Sequence, residues 1–272
     1  MNRIAFIGGG NMARSLIGGL VRTGTAGAAI AVAEPRADAR EALAREFGVG
    51  AWADNAEAAR GADVLLLAVK PQMMRQVCEG LASTVQAGRP LVISIAAGIR
   101  LIQLERWLGG RLPVVRCMPN TPALIGAGAT GLVANARVSA PQRAEAEHIL
   151  GAAGLAVWID DEAQMDTVTA LSGSGPAYFF LLVEALEDAA ARQGLPRETA
   201  RRLAIQTCLG AGRMLGEDGE PPAALRQRVT SPGGTTQAAL DAFAAGGFAA
   251  LVAAAVAAAT RRGGELSAQL GD

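Results

Sequence analysis

The sequence predicts an α/β domain built on a doubly wound, mostly parallel sheet, followed by an all-helical domain. Up to about residue 158, short apolar runs alternate with longer segments of helical period, a succession typical of βαβ units. The apolar runs are continuous, as expected for strands that helices cover on both faces. After residue 160 only helical patterns follow, so we predict a first domain of residues 1–160 and a second of residues 161–272.

The first domain is expected to contain seven strands. They are Arg3–Ile7, Ala29–Ala33, Asp63–Ala68, Leu91–Ser94 and Val114–Cys117, with Gly131–Ala134 and Ala153–Ile159 completing the sheet. The helices expected between them are Asn11–Arg22, Ala37–Phe47, Gln72–Ser83, Leu101–Leu108 and Pro141–Leu150. In an open sheet of this kind, ligands bind outside the carboxyl ends of the strands.

Prolines and glycines indicate where the helices of the second domain begin and end. The expected helical segments are residues 161–171, Pro176 to Gly194, Pro196 to about Leu215, a short one after Pro221-Pro222, and two flanking Gly246-Gly247. The segment Ser231-Pro232-Gly233-Gly234 is expected to interrupt them.

Six consecutive apolar residues, Tyr178 to Val183, lie in the helix that begins at Pro176. A surface helix shows polar residues within such a span, so this helix is predicted to be buried all round. Two arrangements bury it: a central position in a monomeric bundle, or a partner subunit that covers it. We expect the partner subunit, and therefore a homodimer.

Charge and composition exclude several classes of function. The formal net charge is zero, which gives no electrostatic footprint for nucleic acid or an anionic membrane. The amino terminus lacks the features of a signal peptide, and the apolar run Phe248–Ala259 is too short to span a bilayer. The three cysteines, Cys78, Cys117 and Cys208, are far apart, which argues against disulfides or zinc. We expect a cytoplasmic protein without a metal, nucleic-acid or membrane partner.

The segment Gly8-Gly9-Gly10-Asn11-Met12-Ala13 follows an expected strand and opens an expected helix, and it has the form G-x-G-x-x-A. In this context the first glycine permits a tight turn, the third lets the backbone approach a pyrophosphate, and the alanine allows close packing of helix on strand. The N–H groups of the helix start favour the diphosphate anion. The residues expected to contact a dinucleotide in this Rossmann domain are Gly8, Gly10, Asn11, Met12 and Ala13.

Glu34 stands at the end of the second strand, followed by Pro35 and Arg36. An acid at this position usually binds the ribose 2′-hydroxyl of NAD, whereas a nearby arginine accepts the 2′-phosphate of NADP. The sequence offers both, with Arg40 one turn further on. A solvated strand end is the alternative interpretation of Glu34.

Two further segments suggest contacts with small molecules. Lys70, the only lysine, follows a buried strand and is expected at the rim of the sheet, either near a cofactor or in a structural role. The segment Ser231–Thr236 combines hydroxyl groups with a helix start, which suits a substrate carboxylate and equally an ordinary cap.

Over essentially the whole chain, these segments resemble the pyrroline-5-carboxylate reductase family. The resemblance rests on Gly8–Ala13, Ala68–Pro71, Arg116-Cys117-Met118-Pro119-Asn120-Thr121-Pro122, Leu171–Tyr178, Gly194-Leu195-Pro196 and Ser231–Thr236. The most specific of these segments are Leu171–Tyr178 and Ser231–Thr236.

The resemblance implies an N-terminal Rossmann domain and an all-α C-terminal domain that interlocks between two subunits, often in larger rings of dimers. It also implies reduction of 1-pyrroline-5-carboxylate to L-proline by NAD(P)H, the last step of proline biosynthesis. Members generally use NADPH, and many accept NADH. Glu34 departs from the hydroxyl or small residue frequent at its position, which weakens the expectation of a strong NADPH preference.

The resemblance also implies roles for individual residues. Cofactor contacts are expected at Glu34, Arg36, Asn55 (on the ribose), Ala68, Lys70, the turn ending at Ala97, and Asn120 with Thr121 on the nicotinamide side. Ser231, Gly234 and Thr235 would receive the substrate carboxylate, and Thr236 would hydrogen-bond near the ring nitrogen.

The scarcity of acid–base side chains fits this reaction. The only histidine, His148, lies in a polar stretch, and Tyr178 is the only tyrosine. Reducing a ketone usually needs an acid to protonate the alkoxide, but a cyclic imine is protonated before hydride arrives. Positioning is then most of the work, so we assign Thr236 the catalytic role of orienting the substrate and relaying a proton.

Alternative functions are a β-hydroxyacid-dehydrogenase-like enzyme, another imine reductase and a non-catalytic NAD(P)-binding protein. The first requires a catalytic lysine at the start of the helical domain, where Leu171–Tyr178 has none. A short-chain dehydrogenase needs Tyr-x-x-x-Lys, but Leu182 occupies the lysine position after Tyr178. The intact Ser231–Thr236 segment argues against a non-catalytic protein.

Overall fold

The computed structural model describes residues 2–217 and 219–270, which fall into two compact units. The first unit comprises Met1–Ser174 with Ala259–Asp272, and the second comprises Gly175–Ala258. This division by contacts differs from the sequence-based border between residues 160 and 161, which stays a prediction about the domains.

The first unit is built on one eight-stranded sheet with the order β3-β2-β1-β4-β5-β6-β7-β8. The strands are β1 Ile4–Ile7, β2 Ile30–Ala33, β3 Gly50–Trp52, β4 Val64–Leu67, β5 Leu91–Ser94, β6 Val114–Met118, β7 Gly128–Ala134 and β8 Gly154–Trp158. All neighbouring strands pair in parallel except β6 and β7, which are antiparallel. The predicted doubly wound, mostly parallel sheet is therefore confirmed.

Strand β3 was not predicted from the sequence. Its three residues, Gly-Ala-Trp, are too few to show a pattern, and it forms because it pairs in parallel with β2. The backbone N–H of Glu34 donates to the carbonyl oxygen of Trp52 at 3.0 Å, which extends this pairing beyond β2.

The helices of the first unit lie between its strands, except α7, which follows β8. They are α1 Asn11–Arg22, α2 Ala37–Phe47, α3 Asn55–Ala59, α4 Pro71–Gly88, α5 Leu101–Trp107, α6 Ala140–Gly151 and α7 Met165–Val168. Helix α4 runs five residues beyond the predicted end at Ser83 and stops just before Pro90, which cannot continue a helix. The predicted segment 161–171 begins as a 3₁₀ turn, continues as α7 and ends in a single π-helical turn, Thr169–Gly173.

The core lies on both faces of the sheet, and β1, β2, β4 and β5 are buried throughout. On one face Ile7 and Leu65 pack in a cluster with Met74 and Cys78 of α4. On the other, Phe6 packs in a cluster with residues of α1 and α6. Each fully buried side chain of this size contributes about 1.5–3 kcal/mol, so two-sided burial is a main source of stability for the central strands.

The second unit is helical. Its helices are α8 Gly175–Arg192, α9 Arg197–Glu217, α10 Pro222–Arg228 and α11 Thr235–Ala245, and it contains the first part of α12 Phe248–Gln269. Helices α8 and α9 are joined by Glu187, whose carboxylate accepts from Arg197 Nη1 and from Arg201 Nε, each at 3.0 Å. Hydrogen bonds from both guanidinium groups, Arg201 foremost, lower the pKa of Glu187, so this link stays charged at neutral pH.

Within the described residues, no single helix has the length and hydropathy needed to cross a membrane. Helices α11 and α12 meet that criterion only when taken together, as a pair bent by 55°.

Candidate active site

The turn after β1 requires glycine for reasons internal to the protein. Gly8 has a φ of +101°, and a Cβ on it would lie 2.7 Å from the carbonyl oxygen of Ala68. Its N–H donates to the carbonyl oxygen of Ala33 at 2.9 Å. The chain can therefore turn sharply between β2 and β4 only with glycine at this position.

Gly10 is different, because nothing in the protein explains why it is glycine. Its backbone is extended (φ −70°, ψ −177°), and a Cβ placed on it would meet no atom within 4 Å. Gly10 precedes α1, whose start has no side-chain cap. Open space beside uncapped helical N–H groups suits a diphosphate, and a contact of Gly10 with the cofactor stays a prediction.

The other residues of the fingerprint take the positions that this fit requires. Asn11 and Met12 form the exposed and half-buried start of α1, while Ala13 is buried and packs in the core beneath it. A larger side chain at residue 13 would force α1 away from the sheet.

The carboxylate of Glu34 is held beside the fingerprint loop. Glu34 is only 8% exposed, which rules out the solvated strand end. Its Oε2 accepts from the N–H of Gly9 at 3.2 Å, and its Oε1 accepts from the N–H and Nε of Arg36 at 3.1 and 3.3 Å. The acid therefore orders both the loop and Arg36, whose own side chain is 68% exposed.

The guanidinium of Arg40 binds backbone carbonyl groups next to Glu34. Its Nη1 donates to the carbonyl oxygens of Glu34 and Pro35 at 3.0 and 2.8 Å. Of the two arginines that follow β2, Arg36 is thus the one whose guanidinium is more available to a ligand.

The remaining residues predicted to contact the cofactor follow neighbouring strands at the same edge of the sheet. Asn55 begins α3, which is capped by Asp54, whose Oδ1 accepts from the Glu57 N–H at 2.9 Å. Ala68 continues β4, and the exposed Lys70 immediately precedes α4. Ala97 is exposed in the turn after β5. Their direct contacts with a cofactor stay predictions.

Asn120 lies beyond β6, where the sequence predicts the nicotinamide side of the site. Its Nδ2 donates to the carbonyl oxygen of Ser172 at 2.9 Å, and its Oδ1 accepts from the N–H of Ala129 at 2.9 Å. Thr121 next to it is exposed. The side chain of Asn120 thus has backbone partners on two other segments, a feature that the sequence did not indicate.

A buried ion pair near this edge was also missed. Arg116 in β6 is 3% exposed; its Nη1 lies 2.8 Å from Glu162 Oε1, and its Nη2 lies 3.9 Å from Asp166 Oδ1. Glu162 Oε1 also accepts from the N–H of Leu101 at 2.8 Å. The sequence did contain a signal for this ion pair, because Arg116 is a charged residue inside the apolar run Val114–Cys117 and a buried charge requires a partner.

In the second unit, Ser231–Thr236 forms a turn that leads directly into α11. The N–H of Gly234 donates to the carbonyl oxygen of Ser231 at 2.9 Å, and Gly233 has a φ of +69°. No side chain caps the start of α11. The helical N–H groups lie beside the exposed Ser231 and Thr235 and the half-buried Thr236, an arrangement that suits an anion; substrate binding here stays a prediction.

The buried cysteines do not supply a nucleophile. Burial raises the pKa of Cys78 to about 12 and also raises the pKa of Cys117. Cys117 Sγ donates to the carbonyl oxygen of Ser94 at 3.2 Å. Both thiols therefore stay protonated at neutral pH, and only a thiolate is reactive. No group of three or more His, Cys, Asp or Glu side chains in the described ranges is arranged to hold a metal ion.

The sheet edge and its uncapped helix start define a dinucleotide-binding protein of the Rossmann type. Comparison with known families agrees: residues 3–98 match the family described as NADP oxidoreductase coenzyme F420-dependent, and residues 162–266 match that described as pyrroline-5-carboxylate reductase dimerisation.

Similar proteins extend the match to the whole chain. The sequence is 56% identical over 269 residues to the pyrroline-5-carboxylate reductase of Pseudomonas aeruginosa, covering 99% of this chain and 98% of that protein. The structure of a pyrroline-5-carboxylate reductase from Coxiella burnetii superimposes with a TM-score of 0.95 at 45% identity, covering 97% and 98% of the two chains. That of the Plasmodium falciparum pyrroline carboxylate reductase with NADP bound gives 0.83 at 29% identity, covering 98% of each.

The chain belongs to the pyrroline-5-carboxylate reductase family, as the sequence motifs predicted. Its second part carries the dimerisation domain of that family. The alternative of a β-hydroxyacid-dehydrogenase-like enzyme is not favoured.

We predict that Gly10→Ala weakens cofactor binding without unfolding the protein. The new Cβ meets no protein atom, so the free energy of unfolding should change by about 1 kcal/mol or less, whereas the dissociation constant for NADPH should rise about tenfold or more because the methyl group occupies the ligand's space. Fluorescence titration and thermal unfolding measure the two effects.

Gly8→Ala is the matched control for the effect on stability. Because Gly8 has a positive φ and lies close to Ala68, this variant should lose about 1–3 kcal/mol of stability. If Gly10→Ala bound NADPH as tightly as the wild type, the dinucleotide would not pass over Gly10.

Proposed function

We propose that the protein reduces 1-pyrroline-5-carboxylate to L-proline by hydride transfer from NAD(P)H, the last step of proline biosynthesis. The observation that carries this proposal is the uncapped start of α11 at Ser231–Thr236, in a chain of this family that also has a dinucleotide site. Substrate and product both bear a carboxylate, the kind of anion that exposed helical N–H groups bind.

The reaction needs little acid–base chemistry from the protein. The ring nitrogen of the imine is protonated first, which makes the adjacent carbon electrophilic. The nicotinamide supplies the hydride. A C–H bond then forms at that carbon while the π electrons of the C=N bond become the lone pair of a neutral amine. Orientation is therefore the main contribution of the protein.

In this proposal, Ser231, Gly234 and Thr235 bind the carboxylate and fix the orientation of the ring. The hydroxyl of Thr236 hydrogen-bonds at the ring nitrogen and relays its proton. The half-buried Thr236 is the second residue of α11, so its hydroxyl lies close to the carboxylate-binding N–H groups.

We expect Thr236→Val to lower kcat/KM for the imine about tenfold to a hundredfold, because the variant keeps the shape and removes the hydroxyl. The NADPH dissociation constant should not change. Thr236→Ser keeps the hydroxyl and is the matched control. Full kcat/KM in Thr236→Val, measured by NADPH oxidation, would remove Thr236 from the mechanism.

We propose NADPH as the preferred cofactor, with NADH also accepted. The exposed guanidinium of Arg36 suits a 2′-phosphate. The carboxylate of Glu34 lies next to it and accepts from Gly9, so it is placed to accept from a ribose hydroxyl when NADH binds. One corner of the sheet can thus serve both cofactors.

Arg36→Ala should lower kcat/KM with NADPH about tenfold, since a hydrogen bond to a charged group is lost, and should change the NADH value little. Glu34→Gln removes the negative charge beside the phosphate and should shift the ratio toward NADPH. Rates of NADPH and NADH oxidation measured side by side test both variants. An equal loss with the two cofactors in Arg36→Ala would contradict the assignment.

We further propose that the protein is a homodimer formed through the second unit, that dimers assemble into a larger ring, and that it acts in the cytoplasm, where its free cysteines stay reduced. The apolar residues Phe179, Phe180 and Leu181 of α8 are 59%, 68% and 65% exposed in the isolated chain. Contiguous exposed apolar surface of this kind marks an interaction site.

Phe180→Asp should therefore dissociate the dimer, because a charge on this face would be buried without a partner. Sedimentation velocity at micromolar concentration distinguishes the species. Ile102 of α5 has the same 68% exposure in the first unit, so Ile102→Asp serves as the control and should leave the dimer intact. A dimeric Phe180→Asp would place the interface elsewhere.

A further inference from the structure

The side chain of Asn120 joins three segments of the first unit at the carboxyl end of β6. Its Nδ2 binds the Ser172 carbonyl oxygen and its Oδ1 binds the Ala129 N–H, both at 2.9 Å. Ala129 lies in β7, and Ser172 lies in the π-helical turn Thr169–Gly173. Since each polar atom of the amide already has a backbone partner, its geometry suits a brace better than a cofactor contact.

The turn that Asn120 holds has an uncommon geometry. The N–H of Ser174 donates to the carbonyl oxygen of Thr169 at 2.8 Å, a five-residue step that adds one residue to the helical turn. Single π turns of this kind are frequent at functional sites. Ser172 Oγ donates to the carbonyl oxygen of Val168 at 3.0 Å, so only the backbone of Ser172 serves the link to Asn120.

The turn lies against the same strand end. A Cβ on Gly173 would lie 2.8 Å from Cε of Met118, the last residue of β6. Because Cε is the flexible end of the methionine side chain and can move aside, the bond from Asn120, rather than this packing, holds the turn at the carboxyl end of β6.

The chain before the turn is fixed by a separate interaction. The buried Arg116 binds Glu162 at 2.8 Å, ahead of α7. Loss of the bond between Asn120 and Ser172 should thus release the turn alone and leave the preceding segment in place.

We infer that Asn120 is a positioning residue: by fixing Ser172, it holds the π-helical turn at the carboxyl end of β6, on the expected nicotinamide side of the cofactor site, and so keeps the hydride donor in its reactive position. This inference rests on the proposed function. We expect kcat to be highly sensitive to the position of the turn, because a misplacement of about 1 Å can cost about a hundredfold in rate. Cofactor affinity should depend little on the position of the turn, because the expected diphosphate site at Gly10 follows another strand.

Asn120→Asp tests the inference. The aspartate keeps an acceptor for Ala129, loses the donor, and sets a carboxylate oxygen against the Ser172 carbonyl oxygen. The measurements are kcat with the imine, the primary deuterium isotope effect with NADPH deuterated at the transferred position, the NADPH dissociation constant by fluorescence, and Tm.

The chain offers a matched control in Asn135. Its Nδ2 donates to the Leu112 carbonyl oxygen at 2.9 Å and to Glu105 Oε1 at 2.5 Å, and its Oδ1 accepts from the Val114 N–H at 3.2 Å, a similar brace at the opposite end of β6. Asn135→Asp should lower Tm at least as much as Asn120→Asp, because the new carboxylate faces Glu105, with kcat and the isotope effect close to those of the wild type.

The expected result for Asn120→Asp is a fall in kcat of about tenfold or more, a larger isotope effect, and NADPH affinity within about twofold of the wild type. Unchanged kcat and isotope effect, or equal changes in Asn135→Asp, would overturn the inference. Wild-type protein that does not turn over the imine would instead overturn the proposed function.

A second variant applies if Asn120→Asp does not fold. Asn120→Ala removes both hydrogen bonds without setting a charge against the Ser172 carbonyl oxygen, and it should also lower kcat and raise the isotope effect. A normal isotope effect in folded Asn120→Ala would overturn the inference.

Discussion

The parallel pairing of β1 with both β2 and β4 is the constraint on which the site depends. Ile7 pairs with Ala33 on one side and with Leu67 on the other, so these strands end at the same level. All of these strands are buried on both faces, and a shift of one residue would exchange side chains of different size across the sheet, which a close-packed core does not accommodate. The register therefore brings Gly8, Glu34 and Ala68 to one edge without any contribution from a ligand.

In the proposed mechanism, backbone N–H groups rather than lysines bind the anions. Helices α1 and α11 both begin without a side-chain cap, and the chain has a single lysine and zero net charge. A dinucleotide diphosphate and a substrate carboxylate can each use a helix start. Binding of the substrate carboxylate by a helix start rather than by a cationic side chain also suits the reaction. A nearby cation would disfavour the positively charged iminium that accepts the hydride.

The charged side chains that are buried serve mainly to hold loops. Glu34 fixes the fingerprint loop through Gly9, and Arg116 fixes the segment at Glu162. Such pairs contribute little net stability compared with apolar replacements, but breaking one partner is costly. Their value here is geometric, because each holds one loop in place.

The sequence was sufficient for the parts of the structure that depend on local pattern. Apolar periodicity predicted the central strands and most helices, and the fingerprint placed Gly8 and Gly10 correctly at the first turn. It could not predict β3, whose three residues are extended only because β2 lies beside them.

Long-range polar contacts were also beyond the reach of sequence patterns. The bond from Asn120 to Ser172 spans 52 residues and that from Arg116 to Glu162 spans 46. Neither has a periodic signature, because each depends on how strand ends and loops meet in space. Sequence patterns thus indicated candidate site residues by type and order, but not the partners that those residues have in the fold.

The most direct test of the account is the fate of the transferred hydrogen. The protein is given 1-pyrroline-5-carboxylate and NADPH deuterated at the transferred position, and the product is analysed by mass spectrometry and NMR. The account predicts L-proline with one deuterium on the carbon that was double-bonded to nitrogen, formed in the same amount as the NADPH consumed. Cofactor oxidation without deuterated proline, or no oxidation by protein that binds NADPH, would contradict it.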